Sequence, residues 1–204
     1  MHASPQPRVL DDTTFPAVLE AAKVGDARAA EVLFRDLQPR LLRFLRSTEP
    51  RAADDLAGDV WLGMARGLAS FEGDLAGFRS WVFTIARRRL ADHRRNATRR
   101  GTDPVEQRFF HDRADSGESG DTAANVLDRL SSQEALDLIA ANLPHDQAEV
   151  LTLRIVGELD VAHVADVMGR SSNWVRVTQH RALQSLARHL GTPNSASEEI
   201  FPIV

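Results

Sequence analysis

Apolar residues recur at helical spacing along most of this chain, and one polar interval interrupts them. From Ala97 to Asn125, "ATRRGTDPVEQRFFHDRADSGESGDTAAN", no period survives; Gly, Asp, Ser and Thr dominate, and only Phe109 and Phe110 could anchor anything. A gap that long within 204 residues leaves two small helical domains on either side of a flexible acidic linker, each burying a modest core. No segment alternates as a strand, repeats internally or holds a strict heptad, so the expected class is all-α.

Before the gap the spacing predicts four helices. Phe15 to Lys23 carries Val18, Leu19 and Ala22, and after the Gly25-Asp26 break Val32, Leu33, Leu37, Leu41, Leu42 and Leu45 form a second stripe, with Pro39 as a possible kink. "AADDLAGDVWLGMARGL" places Leu56, Val60, Met64 and Leu68 on one side, and "SFEGDLAG" is a glycine-bearing loop. The fourth helix begins near Ala76: Phe78, Trp81, Val82, Ile85 and Ala86 share one face, and Arg87, Arg88, Arg94 and Arg95 lie opposite.

After the gap, "VLDRLSSQEALDLIAANL" ends at Pro144 and "HDQAEVLTLRIVGEL" runs to about Gly157. Then "LDVAHVADVM" and "GRSSNWVRVTQHRAL" make a helical pair: Gly169 permits a left-handed turn, and Ser171 or Ser172 can cap the second helix. That is a helix-turn-helix. Val175, Ala182, Leu183 and Leu186 point one way, and Asn173, Trp174, Val177, His180, Arg181 and Gln184 the other, with Arg176 flanking. Amide, guanidinium and small apolar groups on one helix face match what base edges, phosphates and thymine methyls offer in a major groove. A plain hairpin with a solvated polar face has the same spacing, and Trp174 can equally pack back on the preceding helix.

Charge is segregated along the chain although the net charge is only −4. Arg87 to Arg100 holds seven arginines against Asp92 alone, whereas Thr102 to Ser131 holds seven acids against three arginines. The arginine face could neutralise phosphates, and Trp81 and Phe83 beside it could stack opened bases; a core tryptophan and a helix-terminal run of cations are the bland alternative. Asp54, Asp55 and Asp59 near the start of a helix, next to Trp61, either complement its dipole or dock a basic partner helix. There is no cysteine, so disulfides and thiolate metal sites are excluded, and the seven histidines form no ligand pair. No apolar run approaches a membrane span, and MHASPQPRVL lacks a signal-peptide core. The expectation is a cytoplasmic protein that is not an enzyme and carries no cofactor.

Taken together, "ADDLAGDVWLGMARGL", "FRSWVFTIARRRLADHRR" and "NLPHDQAEVLTLRIVGELDVAHVADVMGRSSNWVRVTQHRAL" resemble an extracytoplasmic-function (ECF) sigma factor of the sigma-70 family, in the family's order. The resemblance covers most of the chain outside the linker and tails. It implies an N-terminal tail at 1–14, a sigma-2 domain at 15–97, the linker at 98–125, a sigma-4 domain at 126–190 and a C-terminal tail at 191–204. It implies core RNA polymerase as partner, through its β′ clamp helices and β flap, together with promoter DNA and an anti-sigma factor. Asp54, Asp55, Asp59 and Trp61 would bind the polymerase. Phe71, Phe78, Arg79, Trp81, Arg87, Arg88, Arg94 and Arg95 would capture and melt the −10 element, and Ser172, Asn173, Arg176, Val177, His180 and Arg181 would read the −35 duplex.

Departures from the family pattern bear on the promoter sequence more than on the activity. Gly58 stands where the clamp-binding helix usually has Gln, Arg88 where Asn or His is common, and Thr178 and Gln179 where Arg and Leu are common. A stand-alone helix-turn-helix regulator would need only the C-terminal half, and a helical interaction protein would need no DNA at all.

Overall fold

A computed structural model of the chain describes residues 10–99 and 132–190. These residues form α1 (Phe15–Lys23), α2 (Ala27–Thr48), α3 (Ala53–Gly67), a 3-10 turn (Leu68–Ser70), α4 (Leu75–Arg99), α5 (Ser132–Asn142), α6 (His145–Ile155), α7 (Val161–Met168) and α8 (Ser172–Leu190), with no strand among them. The tails, most of the expected linker with Phe109 and Phe110, and residues 126–131 lie outside the described residues. Helix α4 continues to Arg99, past the expected boundary at 97.

Local signals set the helix starts. The Asp26 carboxylate accepts from the N–H groups of Arg28 and Ala29 at 2.8 and 2.9 Å, after Gly25 turns the chain with a φ of 89°. Asp74 accepts from Gly77 N–H at 2.7 Å ahead of α4, and Asp160 accepts from His163 N–H at 2.8 Å ahead of α7. Pro39 withholds one N–H from the ladder, yet α2 remains a single helix through it.

Helices α1 to α4 bury Phe15, Leu33, Leu37, Leu41, Phe44, Leu45, Val60, Phe78 and Val82 in one core. That core does not stop at the boundary between the two halves. Val150, Leu153, Leu159, Val164, Ala165, Val167, Met168 and Val175 are continuous with it, while α5, α6 and α8 share a smaller cluster around Ala135, Ile139, Leu151, Ala182 and Leu186.

Helix α4 therefore buries more than the single apolar face its wheel predicts: Arg79, Ser80 and Phe83 are buried along with Phe78, Val82, Ala86 and Leu90. The turn after α6 comes close because Gly157 has no side chain; a Cβ there would lie 2.5 Å from the Leu153 carbonyl oxygen and 3.2 Å from Phe83 Cε2. Ser80 Oγ donates to the His163 carbonyl at 3.3 Å across the same contact.

Candidate nucleic-acid interface

Three surfaces carry the residues singled out by sequence. The first is a groove of about 1070 Å³ between α2 and α3, with Ala30, Phe34, Trp61, Leu62 and Ala65 inside and Glu31, Asp54, Asp55 and Asp59 at its rim. Phe34 and Leu62 are 44% and 57% exposed, a high value for large apolar side chains. Trp61 is half-buried, tilted against Phe34 with ring centroids 4.9 Å apart, and its Nε1–H donates to Gln38 Oε1 at 2.5 Å, so the indole is held in place. Asp55 and Asp59 are exposed, and exposed Asp54 meets Arg46 at 3.3 Å. At Gly58 an added Cβ would meet nothing within 4 Å, so the position faces open space.

Sequence reasoning missed Phe34 and Leu62. The signal was present: each is a large apolar residue off the buried stripe of its own helix. Such a residue either packs on a neighbour or waits for a partner.

The second surface lies along α4. Phe71 stacks on Trp81 with centroids 5.1 Å apart, and Phe78 lies beneath both at 5.3 and 5.9 Å. Trp81 and Phe71 are half-buried and Arg88 and Arg95 exposed, Arg95 being paired with Asp92. Gly67 allows the indole to lie against α3, since a Cβ there would sit 2.7 Å from Trp81 Cζ2.

The remaining −10 candidates are placed otherwise than expected. Phe78 is fully buried and is the floor of the aromatic cluster, with no face for a base. Phe83, expected as a stacking surface, is 1% exposed and meets Phe44 edge-on at 5.4 Å. Arg79 is buried and paired: Nε and Nη2 donate to the two Asp36 oxygens at 3.1 and 2.8 Å, and Nη1 donates to Glu158 at 3.0 Å. Burying a guanidinium demands such partners, so in this arrangement Arg79 has nothing to offer a phosphate. Arg87 Nε donates to buried Glu149 at 3.1 Å, and Arg94 lies between Glu49 at 2.9 Å and His145 at 3.1 Å. Sequence spacing put these arginines on one face but could not show that acids from two other helices and a distant turn meet them there.

The third surface is the second helix of the helix-turn-helix. Gly169 has φ 63° and ψ 39°, the left-handed turn expected of it, and Ser171 Oγ accepts from Trp174 N–H at 3.1 Å as the cap. Asn173, Arg176, Val177 and His180 are exposed, Ser172 and Arg181 half-exposed, and His180 lies within hydrogen-bond distance of Gln184. Val175, Ala182 and Leu186 face inward as expected; Leu183 is half-buried and Thr178 is buried. Trp174 packs partly on the core, and Arg170 sits 5.5 Å over its ring.

Two carboxyls here are held below the ordinary carboxylate range. Burial raises the pKa of Glu158, but the Arg40 hydrogen bond and the charges of Arg40, Arg79 and Arg43 outweigh it. The His163 N–H bond lowers Asp160, against a smaller opposing effect of burial.

Known proteins share this arrangement. Residues 33–100 match Sigma-70 region 2, and residues 133–186 match Sigma-70, region 4. The ECF RNA polymerase sigma factor ShbA of Streptomyces griseus is 33% identical over 186 residues, which cover 86% of this chain and 95% of that one. The chain belongs to the ECF sigma factors of the sigma-70 family. It is a transcription initiation factor that works with core RNA polymerase on promoter DNA. The ECF sigma factor SigD of Mycobacterium tuberculosis is also similar, 32% identical over 83% of this chain and 81% of its own. CnrH, solved in complex with the cytosolic domain of CnrY, shares the fold at a TM-score of 0.55 and 22% identity, covering 86% of this chain and 96% of that one. Region 2 of this sigma factor thus spans α2 to α4 and region 4 spans α5 to α8. Among the described residues no helix is long and apolar enough to cross a membrane.

Proposed function

We propose that this sigma factor divides promoter recognition among its three surfaces, with residues from about 15 to 97 as the polymerase-binding and −10 unit and those from about 126 to 190 as the −35 unit. The observation that carries this reading is the acid-rimmed apolar groove beside Trp61. A stand-alone operator-binding protein has no use for a preformed docking groove remote from its helix-turn-helix, whereas a basic amphipathic helix fits both the apolar floor of Phe34 and Leu62 and the rim of Asp54, Asp55 and Asp59. The β′ clamp helices of the polymerase are that partner.

On α4, the stacked Phe71 and Trp81 receive an unpaired base of the −10 strand, with Phe78 as their support and Arg88 and Arg95 as phosphate contacts. On α8, Asn173, Val177, His180 and Arg181 face the bases of the −35 duplex, and Ser172 and Arg176 hold the backbone. An anti-sigma factor holds the protein inactive, by analogy with CnrH in its complex with the cytosolic domain of CnrY. The site of action is the cytoplasm.

Transcription reconstituted with core polymerase tests the reading. Leu62→Asp places a charge in the apolar groove and is expected to abolish pull-down of core polymerase while α8 still binds −35 duplex; undiminished core binding would remove the groove from the interface. A chain that fails to initiate from any promoter with core polymerase present is not working as proposed.

A further inference from the structure

The two halves of the molecule meet through charges that the functional reading assigns to DNA. Glu158, in the turn between α6 and α7, accepts from Arg40 Nη1 at 2.7 Å and from Arg79 Nη1 at 3.0 Å, while Asp36 on α2 holds the other edge of Arg79. Arg40 Nη1 also donates to the Val156 carbonyl at 3.3 Å. Further along α4, Glu149 of α6 takes Arg87, and His145 lies beside Arg94. Region 4 thus presents two carboxylates to the basic side of α4, in the way that two phosphates would be presented.

The arrangement is incompatible with simultaneous reading of both promoter elements. Elements named for positions −35 and −10 lie about 25 base pairs apart, roughly 85 Å of duplex at about 3.4 Å per base pair. A compact chain of 204 residues has a radius of gyration of roughly 17 Å, a body about 45 Å across. The halves must separate before both surfaces engage.

Two features make Glu158 the point of release. It is 54% exposed, whereas Asp36 and Arg79 are 8% and 10% exposed. When the turn leaves, Arg79 keeps Asp36 and no buried charge is orphaned. Glu158 is also the one non-glycine residue with positive φ among the described residues, at 52°. A side chain in that conformation is strained, and the strain persists only while its surroundings hold it.

We propose that Glu158 is an autoinhibitory latch: its carboxylate bridges Arg40 and Arg79, closes region 4 over the basic side of α4, and yields that place to nucleic-acid phosphate when the molecule opens. Closure hides Arg79 and Arg87 but leaves the outer face of α8 exposed. The free protein therefore retains duplex binding through α8 while its single-strand surface is shut. This inference rests on the proposed roles of α4 and α8.

The chain has no cysteine, so Val24→Cys on the 86% exposed Val24 and Asp166→Cys on exposed α7 accept one spin label each. Pulsed electron-spin distances on the full chain are expected to be short and narrow for the parent, and longer and broader for Glu158→Gln, which removes only the charge. Glu158→Gly also relieves the backbone strain of the folded turn; it is expected to open the molecule too, as loss of the bridge outweighs that relief. Affinity for a short mixed-sequence single-stranded DNA, without polymerase, is expected to rise roughly tenfold for Glu158→Gln, because apparent affinity scales with the open fraction. The exposed-acid control Asp146→Asn is expected to gain much less. Identical distance distributions in the parent and both variants would overturn the latch. So would a longer distance with a DNA gain no greater than that of Asp146→Asn. The distance readout needs neither DNA nor polymerase, so its failure is separate from failure of the promoter-recognition reading, which transcription decides.

Discussion

Helix α3 contains two glycines at which the same substitution is expected to act with opposite sign. At Gly58 a Cβ would meet nothing within 4 Å, and the residue is exposed in a helix interior. Gly58→Ala therefore gains only helix propensity and a smaller unfolded-state entropy, about 0.5–1 kcal/mol. At Gly67 a Cβ would sit 2.7 Å from Trp81 Cζ2, against an optimum carbon separation of roughly 3.5–4.0 Å. The ring must give by about 1 Å, and it has nowhere to go: Phe71 stacks on it at 5.1 Å and Phe78 lies 5.9 Å beyond. Gly67 ends its helix with φ −99° and ψ −10°, which alanine adopts freely, so the cost is steric and not conformational. Overpacking of this kind costs about 1–3 kcal/mol. In a chain of this size each 1 kcal/mol moves the melting temperature by about 2–4 °C, so the variants should melt above and below the parent by a few degrees each. Urea melts followed by far-ultraviolet circular dichroism should show displaced midpoints with unchanged slopes. A Gly67→Ala protein as stable as Gly58→Ala would refute the close approach of Trp81 to α3, and with it the aromatic cluster proposed to receive the −10 base.

Arg176→Ala with Arg181→Ala is expected to abolish −35-dependent initiation while core binding survives; each lost phosphate contact should flatten the salt dependence of duplex binding by roughly 0.9 in log–log slope. A slope equal to the parent's would move these arginines off the phosphates. Asp160→Ala removes the cap of α7 and should cost about 1 kcal/mol at neutral pH in urea melts. The folded pKa of Asp160 is lowered, so its contribution is complete above the unfolded value and is lost as the pH falls through the folded one. The gap between parent and Asp160→Ala should therefore narrow below about pH 4, and a gap constant with pH would show that the carboxylate charge plays no part.

The helices were legible because their signals are local. Apolar spacing of 3.6, the Asp26 cap, the glycine of the turn at 169 and the Ser171 cap all act within a few residues. The exposed face of α8 was legible for the same reason, since the buried side of an amphipathic helix fixes its other side. The site on α4 was only half legible. Its wheel shows one apolar face, but a second helix packs on the opposite side, so Phe83 went to the core and Arg79 to an ion pair. Phe83, a large apolar residue off the stripe, was the available warning.

What the one-dimensional pattern conceals is the identity of each arginine's partner. Asp36, Arg79 and Glu158 are separated by 43 and 79 positions, and no periodicity relates them. A run of arginines reads as a nucleic-acid surface because unpaired cations suit phosphate, yet the same chemistry suits carboxylate equally well. Which ligand occupies the surface is settled by competition and not by the arginines. Carboxylates on the same chain are present at a high effective concentration and win while the halves are together. Phosphates win when polymerase binding holds the halves apart. A basic helix that serves as both the DNA surface and the internal docking surface couples promoter access to domain separation, with no residue dedicated to regulation except the strained Glu158.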